Sequence, residues 1–209
     1  MEPEDRDETS ETPRERIASK RARFAELGSI AALATSLFAL SLSAYQARLM
    51  NEQTRLMQNQ SRASVWPYVA IGYRINDEGE SRGYTWQISN DGVGPARIES
   101  VTMTLDGKPV RHWRELFHAL YGDVDVPATY SQVYGRVLPP STNRETTIDA
   151  LHLLDMAQAN AFFAAQDRIE MTICYCSVYD DCWIARKQNP NVEPTARCDR
   201  SGAQFEEKL

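Results

Sequence analysis

Residues 27–47 are a run of 21 residues without a single charge, bounded by Glu26 and Arg48. A helix rises about 1.5 Å per residue, so such a run reaches about 30 Å, the thickness of a bilayer's hydrocarbon core. Five Leu, Ile30 and Phe38 make the run apolar, and six Ala with several Ser and Thr dilute it. A core helix of a soluble protein seldom continues that far without a charged face, because one side of it meets water. The run is therefore expected to cross a membrane. A cleaved signal peptide fits less well: its apolar region spans about 7–15 residues, and here 26 residues precede the run.

Lys and Arg near a span set its direction. Arg14, Arg16, Lys20, Arg21 and Arg23 precede it, against Arg48, Arg55 and Arg62 after it. The expected arrangement is a single-pass inner-membrane protein with its N-terminus in the cytoplasm and its C-terminal domain outside (periplasmic). The sequence divides into a disordered tail (1–24), a membrane helix in the bilayer (25–47), a helical stalk (48–64), a β domain (65–186) and a polar C-terminal tail (187–209). In the stalk, Leu49-Met50 and Leu56-Met57 recur seven residues apart. Such a heptad fits either a short coiled coil or an amphipathic helix. With the small-residue spacings Gly28, Ala32, Ser36 and Ala39, Ser43, Ala47, it allows a homodimer through membrane helix and stalk.

Beyond Pro67 the apolar period changes from helical to two. Tyr84, Trp86 and Ile88 alternate with polar residues, as do Val101, Met103 and Leu105, and Ile169, Met171, Ile173 and Tyr175. Alternation of this kind marks strands with one buried face. Asp106-Gly107 signals a hairpin turn. Two helical interruptions are expected, at residues 112–121 and 151–166. The fold class is read as mainly β: an antiparallel, immunoglobulin-like β-sandwich with two helical insertions, with α+β as the alternative.

Residues 84–110 contain the corner Asn90-x-Gly92-x-Gly94-Pro95-Ala96 between two alternating strands. That corner resembles the strand-corner pattern of immunoglobulin-like adhesion and accessory domains. With residues 62–68 and the CYCSVYDDCW segment, it looks like bacterial proteins that carry one membrane helix and a β-sandwich. The resemblance implies a fold and no activity. Physically, Asn90 and the glycines are expected to supply positive-φ turn positions, and Pro95 to stiffen the exit. No helix follows the glycines, so they form a turn and not a phosphate cradle.

Cys174, Cys176, Cys182 and Cys198 all lie in the last 36 residues. Cys174 and Cys176 share one face of a strand, so a bond between them would strain the backbone. Cys176 and Cys182 bracket a short connection that a disulfide could close, which leaves Cys174 to take Cys198 and fasten the tail. This pairing ranks first of the three possible. A Cys₄ zinc site is the alternative, although the usual CxxC knuckles are missing. Without CxxC, redox catalysis is not expected either.

His112, Glu115 and His118 fall at i, i+3 and i+6, not at the i, i+4 spacing of a zinc protease helix. His152 has no nucleophile or carboxylate beside it in sequence. Asp180-Asp181 offers too few oxygens for calcium. Tyr68, Tyr73, Trp86, Trp113, Tyr130 and Tyr134 could build a sugar platform, but most occupy alternating apolar positions and are expected in the core. From residue 63 on, 14 basic and 20 acidic residues give a net charge of −6, the wrong sign for binding nucleic acid. No catalytic residue, metal or cofactor is expected. The reading is a non-enzymatic, membrane-anchored scaffold that binds another protein. The alternatives are an envelope sensor or glycan-binding module, and a cytoplasm-facing domain with reduced or metal-bound cysteines.

Overall fold

A computed structural model of the chain describes residues 13–79, 82–141, 146–187, 189–202 and 204–206, with side chains from Phe24 onward. The chain forms two compact units, Met1–Gln58 and Asn59–Leu209.

The first unit consists of helix α1 (Pro13–Ala63), whose last turns enter the second unit. Proline suits a first helical position because it lacks only an N–H that has no partner there. Residues 13–24 are therefore helical, against the expectation of a disordered tail, and residues 1–12 lie outside the described residues. The helix is long and apolar enough to cross a membrane, and Leu33 and Phe38 stand among its exposed large side chains. The hydroxyls that dilute its apolar run do not remain open. Ser29, Ser41 and Ser43 donate to the carbonyls of Ala25, Leu37 and Ala39 one turn back, at 2.8–3.0 Å. This satisfies them within the helix, as hydrocarbon requires.

The second unit holds ten strands and two short helices among the described residues: β1 (Val69–Asn76), β2 (Gly83–Asn90), β3 (Ala96–Leu105), β4 (Lys108–Val110), α2 (Trp113–Tyr121), β5 (Ala128–Tyr130), β6 (Val137–Leu138), β7 (Ile148–Leu153), α3 (Met156–Ala165), β8 (Ile169–Cys176), β9 (Cys182–Arg186) and β10 (Asn189–Thr195). All ladders are antiparallel. One sheet runs β1-β2-β7-β5 and the other β10-β9-β8-β3-β4, with β6 against β3. Trp86 and Ile88 of β2, Leu151 of β7, Val101 of β3 and Ile173 of β8 are almost fully buried in one core shared by both sheets. Asp106 and Gly107 turn β3 into β4 with φ of 51° and 76°. A bidentate hydrogen bond from Arg168, at 2.9 and 2.6 Å, holds the Asp106 carboxyl below its ordinary range.

Three other expectations change. With α1 included, helix and strand content are about equal, so the chain is not mainly β. Residues 151–153 belong to β7 and not to a helix, because Leu151 and Leu153 pack inward on alternate positions. Helix α3 begins only after Asp155, whose carboxylate accepts from Gln158 N at 2.9 Å. In the segment expected as a polar tail (187–209), the described residues take part in the fold: β10 pairs with β9, and Phe205 is buried against Trp113 with ring centroids 4.8 Å apart. Val101 accepts from Phe205 N at 2.8 Å and donates to Gln204 Oε1 at 3.1 Å. The polar composition of the segment hides one apolar anchor.

Candidate functional site

Asn90, at the end of β2, is completely buried. Its Oδ1 accepts from Tyr68 N at 3.0 Å and Gly92 N at 3.2 Å, and its Nδ2 donates to the carbonyls of Gly94 at 2.8 Å and Leu138 at 3.0 Å. Ser141 N donates to the Asn90 carbonyl at 2.7 Å. One amide thus ties the entry segment 65–68, the corner and the β6 exit together. Asn90 and the two glycines do not take positive φ, contrary to expectation. The glycines are required by close approach instead. A Cβ on Gly94 would lie 2.0 Å from the Val65 carbonyl oxygen, and one on Gly92 2.4 Å from Tyr68 N. Pro95 follows this contact and leads into β3.

The entry segment carries an aromatic group. Trp66 lies edge-on to Tyr68 at 5.8 Å and to Trp183 at 6.5 Å, and Trp183 stacks on Tyr175 at 5.9 Å. Trp66 is 43% exposed, whereas burial pushes the Tyr175 phenol up to about 12. Arg62 binds Asp181 at 2.9 Å and Arg97 binds Asp180 at 2.8 Å. These bridges hold the β8–β9 turn, which exposes Val178 and Tyr179. The two aspartates are thus arginine partners on a turn where Asp180 takes φ 60°. Sequence reasoning missed the tie between the entry segment and this turn, because 119 residues separate Arg62 from Asp181. Of the aromatics considered for a sugar platform, Trp86 and Trp113 are core. Tyr73, Tyr130 and Tyr134 are partly exposed, and Tyr68 is half-buried with its hydroxyl donating to the Pro190 carbonyl.

The four cysteines converge beside this turn. The sulfurs of Cys174 and Cys198 are 2.09 Å apart and those of Cys176 and Cys182 2.05 Å, both at disulfide distance. Cys176 and Cys182 are direct cross-strand partners, and Cys198 comes from the segment after β10. The Sγ atoms of Cys176, Cys182 and Cys198 lie within 4.8 Å of one another. In this pairing no sulfur is left as a thiolate, the form in which cysteine ligates a metal.

The histidines have structural partners. His112 caps α2, its Nδ1 accepting from Glu115 N at 3.1 Å, while Glu115 Oε2 accepts from Arg111 N at 2.7 Å, a reciprocal cap. His118 meets Asp123 at 3.0 Å, at the rim of an open cavity of about 320 Å³ beside α2. His152 Nδ1 is 2.7 Å from Thr85 Oγ1, its cross-strand partner, and Thr85 is fully buried. The pair braces β2 against β7.

Comparison of the chain with protein-family models, curated proteins and solved structures finds no match, so the resemblance to bacterial immunoglobulin-like membrane proteins rests on the sequence motifs alone.

Proposed function

We propose that the chain is a single-pass membrane protein holding a disulfide-fastened β domain outside the cytoplasm, where it binds another protein without catalysing a reaction. The carrying observation is that all four cysteines stand in two pairs at disulfide distance in a chain whose one long apolar helix can cross a bilayer. Disulfides persist in oxidising compartments and are rare in the cytosol. The bias of Lys and Arg toward the N-terminal flank supports the same orientation. The strand order supports an immunoglobulin-like reading of the domain: β1-β2-β7-β5 follows the A-B-E-D sheet, and β9-β8-β3 the G-F-C sheet.

Protein binding is supported by exposed Trp66, which packs on Trp183, and by the β8–β9 turn, which exposes Val178 and Tyr179 and is held by Arg62 through Asp181. Aromatics and arginine on a rigid base are the usual anchors of an interface. Labelling of intact cells with a membrane-impermeant maleimide, before and after reduction, tests the placement. Labelling that requires reductant but not lysis is expected. Thiols that stay shielded until lysis and then react without reductant would put the domain in the cytoplasm. For the binding surface, a photocrosslinker at Val178 is expected to give a discrete protein adduct that Trp66→Ala removes. If glycans quench tryptophan fluorescence and no adduct forms, the domain is a glycan-binding module instead.

A further inference from the structure

The two disulfides are not independent. Cys174 and Cys176 stand on one face of β8, and the sulfur of Cys176 lies 3.8 Å from that of Cys198, although each is bonded elsewhere. The four sulfurs therefore form a short chain in the order Cys182–Cys176···Cys198–Cys174, with a van der Waals gap in the middle. Cys174, Cys176 and Cys182 are buried, whereas Cys198 is half-buried and lies outside any strand, where it can shift toward Cys176.

We propose that these four cysteines form a disulfide-exchange cluster, in which two-electron reduction of either disulfide yields one and the same product, a Cys176–Cys198 bond with thiols at Cys174 and Cys182. The inference rests on the paired cysteines of the reading above. The reductant is an external dithiol, which is itself oxidised to a disulfide as it opens one bond of the cluster. When Cys176–Cys182 opens, the Cys176 thiolate attacks Sγ of Cys198. The Cys176–Cys198 bond forms, the Cys174–Cys198 bond breaks, and Cys174 leaves as a thiolate that takes up a proton. When Cys174–Cys198 opens, the Cys198 thiolate attacks Cys176, and Cys182 leaves in the same way. Thiol–disulfide exchange proceeds by such attack and is limited chiefly by access and thiolate fraction. Proximity supplies the access here. One consequence is specific to this order of sulfurs. No single reduction frees the C-terminal segment, because Cys198 always finds a second partner on β8.

The test uses the full-length protein in detergent, treated with one equivalent of dithiothreitol and quenched with N-ethylmaleimide at low pH. Chymotryptic cleavage after Tyr175 and Tyr179 separates Cys174, Cys176 and Cys182 for mass spectrometry. In most singly reduced molecules, Cys176 is expected to be joined to Cys198, with maleimide on Cys174 and Cys182. Original pairs remaining beside thiols at 176 and 182, or at 174 and 198, would overturn the exchange while leaving the pairing intact. Free thiols before any reductant would sink the pairing itself, and the exchange with it. The double variant Cys174→Ser/Cys182→Ser, isolated without reductant, is expected to close Cys176 onto Cys198. Two free thiols in that variant, folded by tryptophan fluorescence, would equally overturn the proposal. If it does not fold, bond mapping of the unmodified chain decides alone.

Discussion

Asn90 satisfies four backbone groups with one buried amide. At about 1 kcal/mol net per hydrogen bond, and more for each group left buried without a partner, Asn90→Ala is expected to destabilise the domain by roughly 3–5 kcal/mol. Asn90→Asp should do no better, since a carboxylate keeps the two acceptor contacts but faces the Gly94 and Leu138 carbonyls without a donor. Denaturant unfolding of the chain in detergent, followed by the fluorescence of Trp86 and Trp113, measures both. Gly94→Ala forces its new methyl into the Val65 carbonyl and should prevent native folding. Gly72→Ala, whose Cβ meets nothing within 4 Å, should change stability by less than about 1 kcal/mol. The NxGxGP corner was legible in the sequence as a turn, yet its reason was not. The glycines answer to a chain segment more than 20 residues earlier, and no local pattern carries that contact.

At the scale of elements, the disulfides close loops of different length. Chain-entropy reasoning gives about 3.5 kcal/mol for the Cys174–Cys198 separation of 24 residues and about 2 kcal/mol for the Cys176–Cys182 separation of 6. Replacing each pair by serines should lower stability in that order, read as a shift in denaturation midpoint. A midpoint more sensitive to the shorter loop would contradict the loop-closure account. Phe205→Ala empties a site against Trp113 and is expected to cost about 3–5 kcal/mol, a loss that no disordered tail would produce. The strands with long alternation, β2, β3 and β8, were legible because their period of two repeats three or four times. β7 was not, because Leu151 and Leu153 run straight into the apolar residues of α3 and blur the two periods. β10 carries Pro and Glu at its exposed edge, so its sequence reads as a loop.

For the molecule as a whole, alkali gives a clean readout. Burial raises the phenols of Tyr84, Tyr121 and Tyr175 above their ordinary value, Tyr175 to about 12. A raised folded-state value means that the unfolded chain loses these protons first. The stability contribution is therefore complete below about pH 10, the unfolded value, and is lost as pH rises toward 12. Phenolate absorbance followed against pH measures this. Tyr84, Tyr121 and Tyr175 should ionise well above pH 10, in a steep step that coincides with the loss of tryptophan fluorescence. Ionisation of these three near pH 10 without such a step would mean that the core is open to water. At this scale the apolar run and the presence of a β domain were readable, because each depends on composition or period over many residues. The aromatic group at Trp66 was not, since it arises only when the first and last thirds of the chain meet.

The corner at Asn90 also bears on how the domain carries a load. Any pull through α1 would reach the domain at residues 64–68, where the polypeptide enters the sheet. There Trp66 and Tyr68 accept from Val93 and Asp91 at 2.9 and 2.7 Å, and the Asn90 amide grips Tyr68 N. Because β1 pairs antiparallel with β2 from Val69 opposite Asn90 onward, tension at that entry would otherwise peel the strand away one bond at a time. The corner puts a cluster of hydrogen bonds and two interlocked glycine contacts ahead of the first rung. Force passing through α1 thus meets these hydrogen bonds before it reaches the β1–β2 ladder.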